Sequence, residues 1–188
     1  GRPGWAVFGV PAGGAADPAA LVAANRLAGN DATAAGLEIL LQGPALRFPQ
    51  GGVVALTGAR FAASRSGGAA VGWNETLVLA AVETLVLGEA LEGCRCWLAF
   101  GGGALVPPVM GSRSTFLPAG FGGHLGRALR TGATLTCGRS DRVHLRRAQA
   151  RCLEGGKPLR VVAGPQAQLF DDAGLAAFFT GTYRVRAA

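Results

Sequence analysis

The sequence predicts a mainly β fold, a barrel or sandwich carrying a few short helices. Three observations point there. Apolar runs of only four to six residues recur from Leu37 onward, and clusters of Gly, Pro, Ser and Asn separate them. No regular alternation of these runs with helical segments supports a doubly wound parallel sheet. The 188 residues, 49% apolar and 15% charged, suffice for one large domain or two small lobes with a real core, and exclude a disordered chain.

The first element is the clearest helix. In "ADPAALVAANRLAGN" Asp17 is placed to cap the N-terminus, and Pro18 suits the first helical position, where a missing N–H costs nothing. Ala20, Ala24 and Leu27 then share one face, with Leu21 at its border, and Gly29 ends the helix in a left-handed conformation. "DATAAGLE" is expected to add one short helical turn. Strands follow in "LEILLQ", "ALRF", "VVALTG", "RFAAS", "TLVLA" and "TLVLG", divided by the turn sequences "GP", "PQGG", "SGG" and "GWNE". "RCWLAF", "TLTCG", "VHLR" and "LRVVAG" continue the series. "DDAGLAAFFTG" reads as a helix capped by Asp171 or Asp172, and "TYRVR" as a last strand. There is no internal repeat, linker or low-complexity segment.

Bulk properties narrow the function classes. No apolar run reaches the roughly 18–20 residues of a membrane span, and "GRPGWAVFGV" has no secretory pattern, so a cytoplasmic home is expected. The net charge of +7 rests on arginine, since Lys157 is the single lysine. Arginine suits carboxylates and phosphates. No aromatic-studded basic stripe supports nucleic-acid binding, and "RSDRVHLRRAQAR" reads as a solvated face. Cys94, Cys96, Cys137 and Cys152 form no CxxC pair, and His124 and His144 stand at no ligand spacing from them, so no metal site is expected.

The densest candidate chemistry lies in "GGGALVPPVMGSRST", Gly101 to Thr115. Bare backbone at Gly102 and Gly103 can approach a ligand and aim N–H groups at an anion. Arg113 offers a bidentate charge, and Ser112, Ser114 and Thr115 offer neutral donors. The other reading is a tight turn with Arg113 paired internally, and the residues alone leave both open. It is neither a Walker loop nor a dinucleotide fingerprint. A second cluster, "AGFGGHLGRALRTG", sets His124 and Arg127 beside Gly122 and Gly123, and "AGPQ" puts Gln166 after an expected strand. GxSxG is missing and paired carboxylates are scarce.

Several long segments nevertheless match one pattern. "GRPGW…GVPAGGAADPAALVAANRLAGN…AAGLEILLQGPALRF", "LAFGGGALVPPVMGSRSTFLPAGFGGHLGRALRTG" and "LRVVAGPQAQLF" together resemble the allophanate hydrolase subunit 2 family. That family includes KipA-like proteins and the C-type subunit of bacterial ATP-dependent 5-oxoprolinase, and is related to the carboxyltransferase part of urea carboxylase. The resemblance implies a cyclophilin-like β-barrel. It also implies a subunit 1 partner (KipI-like, the B-type subunit of 5-oxoprolinase), a third protein of the A type, and a complex that uses ATP to open the ring of 5-oxoproline. A small carboxylate or amide substrate is implied, with no nucleic acid or membrane.

The resemblance extends to single residues where the pattern survives. Arg113, Ser112, Ser114 and Thr115 are implied as catalytic, and Gly102, Gly103, Gly122, Gly123, Arg127 and Gln166 as substrate-binding. Asp17 and Asn25 survive as structural positions. The chain departs from the family where "SGAMD" is "GGAAD", where "GGIDVP" is "GGALVP", and where "GGxEGR…AGD" carries Leu125 and Ala133. Gly13 thus replaces a serine and Ala16 a methionine, while Leu105, Leu125 and Ala133 replace acids. The family's distal segments are not found, so residues 1–188 are expected to be the N-terminal portion of the domain, with a second barrel lobe starting near residue 159 and cut short. A catalytically degenerate, KipA-like binding module is the alternative to an enzyme subunit.

Overall fold

The computed structural model describes residues 1–140, 144–149, 158 and 160–184. Two compact units divide the chain, Gly1–Arg151 and Cys152–Ala188. The first is mainly β. Helix α1, Pro18–Leu27, precedes seven strands: β1 (Leu37–Leu40), β2 (Ala45–Phe48), β3 (Gly52–Gly58), β4 (Phe61–Arg65), β5 (Thr76–Leu79), β6 (Glu83–Ala90) and β7 (Arg95–Phe100).

Asp17 caps α1 as expected: its Oδ1 accepts the Ala20 N–H at 3.0 Å, and Pro18 opens the helix. Such a cap contributes about 1 kcal/mol. "DATAAGLE" adds no helix. Asn25 and Asn30 instead bind its backbone and the end of β7, and residues 31–36 form a turn leading into β1.

The strands form two antiparallel sheets, ordered β1-β7-β3-β5 and β2-β6-β4. The runs in β3 and β7 are continuously apolar because both faces are covered. Val54, Leu56, Cys96, Leu98 and Phe100 face a core shared with Phe61, Leu85 and Leu87 of the second sheet. Ala55, Trp97 and Ala99 point the other way, onto Ala20, Ala24, Leu27 and Ala28. Alanine on both sides lets the helix lie close to the sheet, where the Thr57 hydroxyl donates to the Ala20 carbonyl at 2.8 Å.

The barrel does not close. Among the described residues no strand ladder runs from one sheet into the other, and an isolated bridge between Gln42 and Glu89 joins the segment after β1 to β6. A buried ion pair holds one corner. Arg65 of β4 donates from Nε to Glu83 Oε1 at 2.5 Å and from Nη2 to Oε2 at 2.7 Å; the same Nη2 reaches the Val78 carbonyl of β5 at 2.8 Å. These bonds, and the Ala80 N–H on the same carboxylate, hold the Glu83 carboxyl down at about 2.

Beyond β7 the expected strands do not form among the described residues. "TLTCG" contributes an isolated bridge, Ala104 with Cys137, and the described part of "VHLR" runs beside β5 through the Thr76 N–H bond to the Arg146 carbonyl at 2.9 Å. Propensity without a partner ladder gives extended chain and no sheet. In the second unit the described residues carry helix α2, Asp172–Thr180, capped by Asp171, whose Oδ1 accepts the Gly174 N–H at 2.7 Å. "LRVVAG" is irregular where described. Cys152, Lys157 and the start of the expected lobe at Leu159 lie outside the described residues, as do the last two residues of "TYRVR".

Candidate functional site

An open cleft of about 800 Å3 lies at the end of α1, against the turn that follows β7. Asn30, Gly102 and Gly103 form its floor, and Arg113, Arg139, His144 and Arg146 bring basic groups to it, with Asp31 the acid among its lining residues. The guanidinium groups of Arg113 and Arg139 make no hydrogen bond or ion pair with the described residues, and both side chains are exposed. Arg146 is held by the Arg26 carbonyl at 2.9 Å. Two unpaired guanidinium groups beside a third held one form a donor set suited to carboxylate or phosphate oxygens.

The glycine loop is a scaffold for this cleft. Gly101 N–H donates to Val53 O, Gly103 N–H to Phe100 O, and Gly102 N–H to Asn30 Oδ1 at 2.7 Å. Its donors are therefore engaged inside the protein. Its missing side chains serve close packing instead: at Gly102, with φ of 85°, a Cβ would lie 2.5 Å from the Gly138 carbonyl oxygen.

Asn30 and the fully buried Asn25 secure the floor. Asn30 Nδ2 donates to Phe100 O at 2.7 Å and to Asn25 Oδ1 at 3.1 Å, while Asn25 Nδ2 donates to Ala34 O at 2.8 Å. Opposite them, Thr76 Oγ1 lies 2.7 Å from Leu27 O and 3.1 Å from His144 O, and accepts the Arg146 N–H at 3.0 Å. One hydroxyl thereby ties the segment carrying the basic wall to the end of α1.

Of the residues the sequence singled out, Arg113, Gly102 and Gly103 meet at this cleft. Ser112 and Ser114 face inward. Their hydroxyls lie 2.9 Å apart, Ser112 Oγ accepts the Ser114 N–H at 3.2 Å, and Ser114 Oγ accepts a bond from Arg2 Nη1 at 3.1 Å. Thr115 is exposed beside Gly123. Gly122 and Gly123 line a second, more apolar cleft of about 370 Å3 with His124, Leu105 and Leu125. Arg127 lines neither cleft, and Gln166 is an exposed residue of the other unit.

Sequence reasoning missed Asn30, Arg139, His144 and Arg146 as wall residues, and it missed Arg2. Asn30 carried a usable signal, an amide directly after a helix-ending glycine. The basic residues sat in a cluster whose composition reads as solvated surface.

Comparison with known proteins places the fold in a family. The family model described as carboxyltransferase domain, subdomain A and B, matches residues 8–188. The C-type subunit of the Escherichia coli 5-oxoprolinase is 39% identical over 186 residues, which is 98% of this chain and 59% of the relative. The chain thus spans about three fifths of that relative's length. The urea amidolyase of Saccharomyces cerevisiae is 36% identical over 135 residues, 72% of this chain and 7% of that protein. Among solved structures, TTHA0988 superposes with a TM-score of 0.79 at 30% identity, covering 88% of this chain and 61% of its own. The K. lactis urea amidolyase superposes with a TM-score of 0.70 at 36% identity, covering 73% of this chain and 8% of its own. Fold, a family match over nearly every residue and shared segments lead to one conclusion: the chain belongs to the carboxyltransferase domain family, subdomains A and B.

Proposed function

We propose that the chain is a subunit of an ATP-dependent, 5-oxoprolinase-like complex that opens a cyclic amide C–N bond, and that Arg113 contacts the substrate carboxylate. The observation that carries this reading is the Arg113 guanidinium, without a partner among the described residues, at the rim of a basic cleft. A carboxylate meets such a fork with two parallel charge-assisted hydrogen bonds, which fix its orientation as well as its position. Arg139 and Arg146 supply the surrounding positive potential that draws a small anion inward, and His144 adds a ring nitrogen to the wall. ATP consumption by the complex drives the ring opening; the cleft's donor set also suits phosphate oxygens. The E. coli relative is named as one subunit of its enzyme, which motivates a KipI-like partner of the B type and a third partner of the A type for this chain.

The test is reconstitution. The chain, with its KipI-like partner and the third, A-type protein, is expected to release glutamate from 5-oxoproline with ATP consumption. Arg113→Ala is expected to lower turnover by at least about 100-fold, the scale of losing one charged positioning contact. Undiminished turnover by that variant overturns the assignment of Arg113.

One observation favours a second reading. Leu105 and Leu125, which stand where the resemblance expects acids, line the same second cleft and are 60% and 70% exposed. Loss of two carboxylates from one wall suits a catalytically silent module that binds a KipI-like partner. Under that reading the assembled complex forms but releases no glutamate, and the double substitution Leu105→Asp with Leu125→Glu restores release.

A further inference from the structure

We infer that Arg2 is the positioning residue of the Arg113 site: its buried guanidinium grips both ends of the turn that carries Arg113 and so sets where that charge stands. The inference rests on the reading of Arg113 as the anion contact.

Arg2 is 1% exposed. A buried arginine ordinarily faces a carboxylate, because an uncompensated charge away from water destabilises the fold. Here every partner among the described residues is neutral. Nε donates to the Val109 carbonyl at 3.2 Å, Nη1 to Ser114 Oγ at 3.1 Å, and Nη2 to the Ser114 carbonyl, while the ring of Phe121 lies 4.9 Å from the guanidinium carbon. Carbonyl dipoles and a π face solvate the cation in place of water.

The partners are placed to one end. Val109 and Ser112 exchange both backbone hydrogen bonds, at 2.8 and 3.1 Å, across Met110 and Gly111, whose φ values are 52° and 75°. That is the left-handed two-residue turn of a tight hairpin. Arg113 follows immediately, and its own side chain has no partner among the described residues to orient it. Its direction is inherited from the backbone, and Arg2 holds that backbone at Val109 on one side and Ser114 on the other. A lysine cannot do this, since its point charge lacks the fork that reaches both strands of the turn.

Gly122 leaves the room: a Cβ there would lie 2.5 Å from the Ser114 carbonyl oxygen that Arg2 binds, whereas one at Gly13 would meet Arg2 Nη1 at an ordinary contact distance of 3.6 Å. The N-terminal segment, the Arg113 turn and the Gly122 loop thus converge on one side chain.

The test is calorimetric titration of 5-oxoproline into the full chain, with Arg2→Lys introduced into wild type and into an Arg113→Lys background. A flexible ammonium at position 113 depends little on loop direction. Arg2→Lys is therefore expected to weaken binding about tenfold beside arginine at 113 and less than about twofold in the Arg113→Lys background. Equal weakening in both backgrounds, or none in either, overturns the positioning role and leaves the Arg113 assignment standing. Wild-type affinity in Arg113→Ala, or no binding by the unaltered chain, overturns the site reading and this inference with it. Should Arg2→Lys fail to fold, Phe121→Leu, which removes the ring beneath the guanidinium, is carried through the same two backgrounds with the same criteria.

Discussion

Asn30 Oδ1 accepts the Gly102 N–H at 2.7 Å, which ties the segment after α1 to the turn after β7. Asn30→Ala leaves that N–H and Asn25 Oδ1 without this partner, and removes one of two donors from the Phe100 carbonyl, which keeps the Gly103 N–H. The expected cost is about 1 kcal/mol, the scale of hydrogen bonds lost at exposed and partly buried groups. Urea unfolding with an unchanged slope checks it, and hydrogen exchange at Gly102 should accelerate in the same variant.

Acid stability should turn on Glu83. Its folded carboxyl titrates near 2, well below the ordinary carboxylate range, because Arg65 and the Ala80 N–H favour the ionised form. The stabilisation is fully present above the unfolded value of about 4.3 and is lost as pH falls from there towards 2. Glu83→Gln should flatten this part of the stability profile while lowering stability at neutral pH. Denaturant melts at pH 2.5, 4.5 and 7 read both effects.

Gly122→Ala should destabilise the fold by more than about 1 kcal/mol. Its φ of 72° is unfavourable for alanine, and the new Cβ would press on the Ser114 carbonyl and Arg2. Gly111→Ala, whose Cβ would meet no atom within 4 Å, carries the backbone penalty without the clash. Thermal melts should therefore rank Gly122→Ala below Gly111→Ala.

Thiol labelling should separate the cysteines. Burial pushes the Cys96 thiol up to about 12 and raises that of Cys137, whereas Cys94 is exposed. At pH 8 a thiolate reagent should modify Cys94 in the native chain and reach Cys96 after unfolding, as read by peptide mass mapping. Prompt native labelling of Cys96 would contradict its place in the core.

The local parts of the fold were legible. Asp17, Pro18 and the alanine face predict α1 because caps and periodicity act within a few residues. β1 to β7 follow from short apolar runs between turn residues. "TLTCG" misleads for the opposite reason: a strand needs a ladder, and its potential neighbour is the glycine turn, which offers one bridge. Closure of the barrel is likewise a matter of distant pairing that no local pattern records.

The candidate site was half legible. Arg113, Gly102 and Gly103 stand out in one stretch, but the direction of the hydroxyls beside Arg113 does not. Ser112 and Ser114 read as ligand donors until Arg2, more than a hundred residues earlier, is seen to occupy Ser114. "GRPGW" looks like exposed chain, since Pro and Gly surround the arginine, and its burial is decided by partners remote in sequence.

The tight turn between Val109 and Ser112 contains the chain's single methionine, Met110, partly exposed beside Gly111. One isotopically labelled methyl group consequently gives an NMR spectrum with a single assigned peak, located three residues before the guanidinium of interest. Chemical-shift changes of that peak report loop rearrangement, partner docking or sulfoxide formation without any engineered probe.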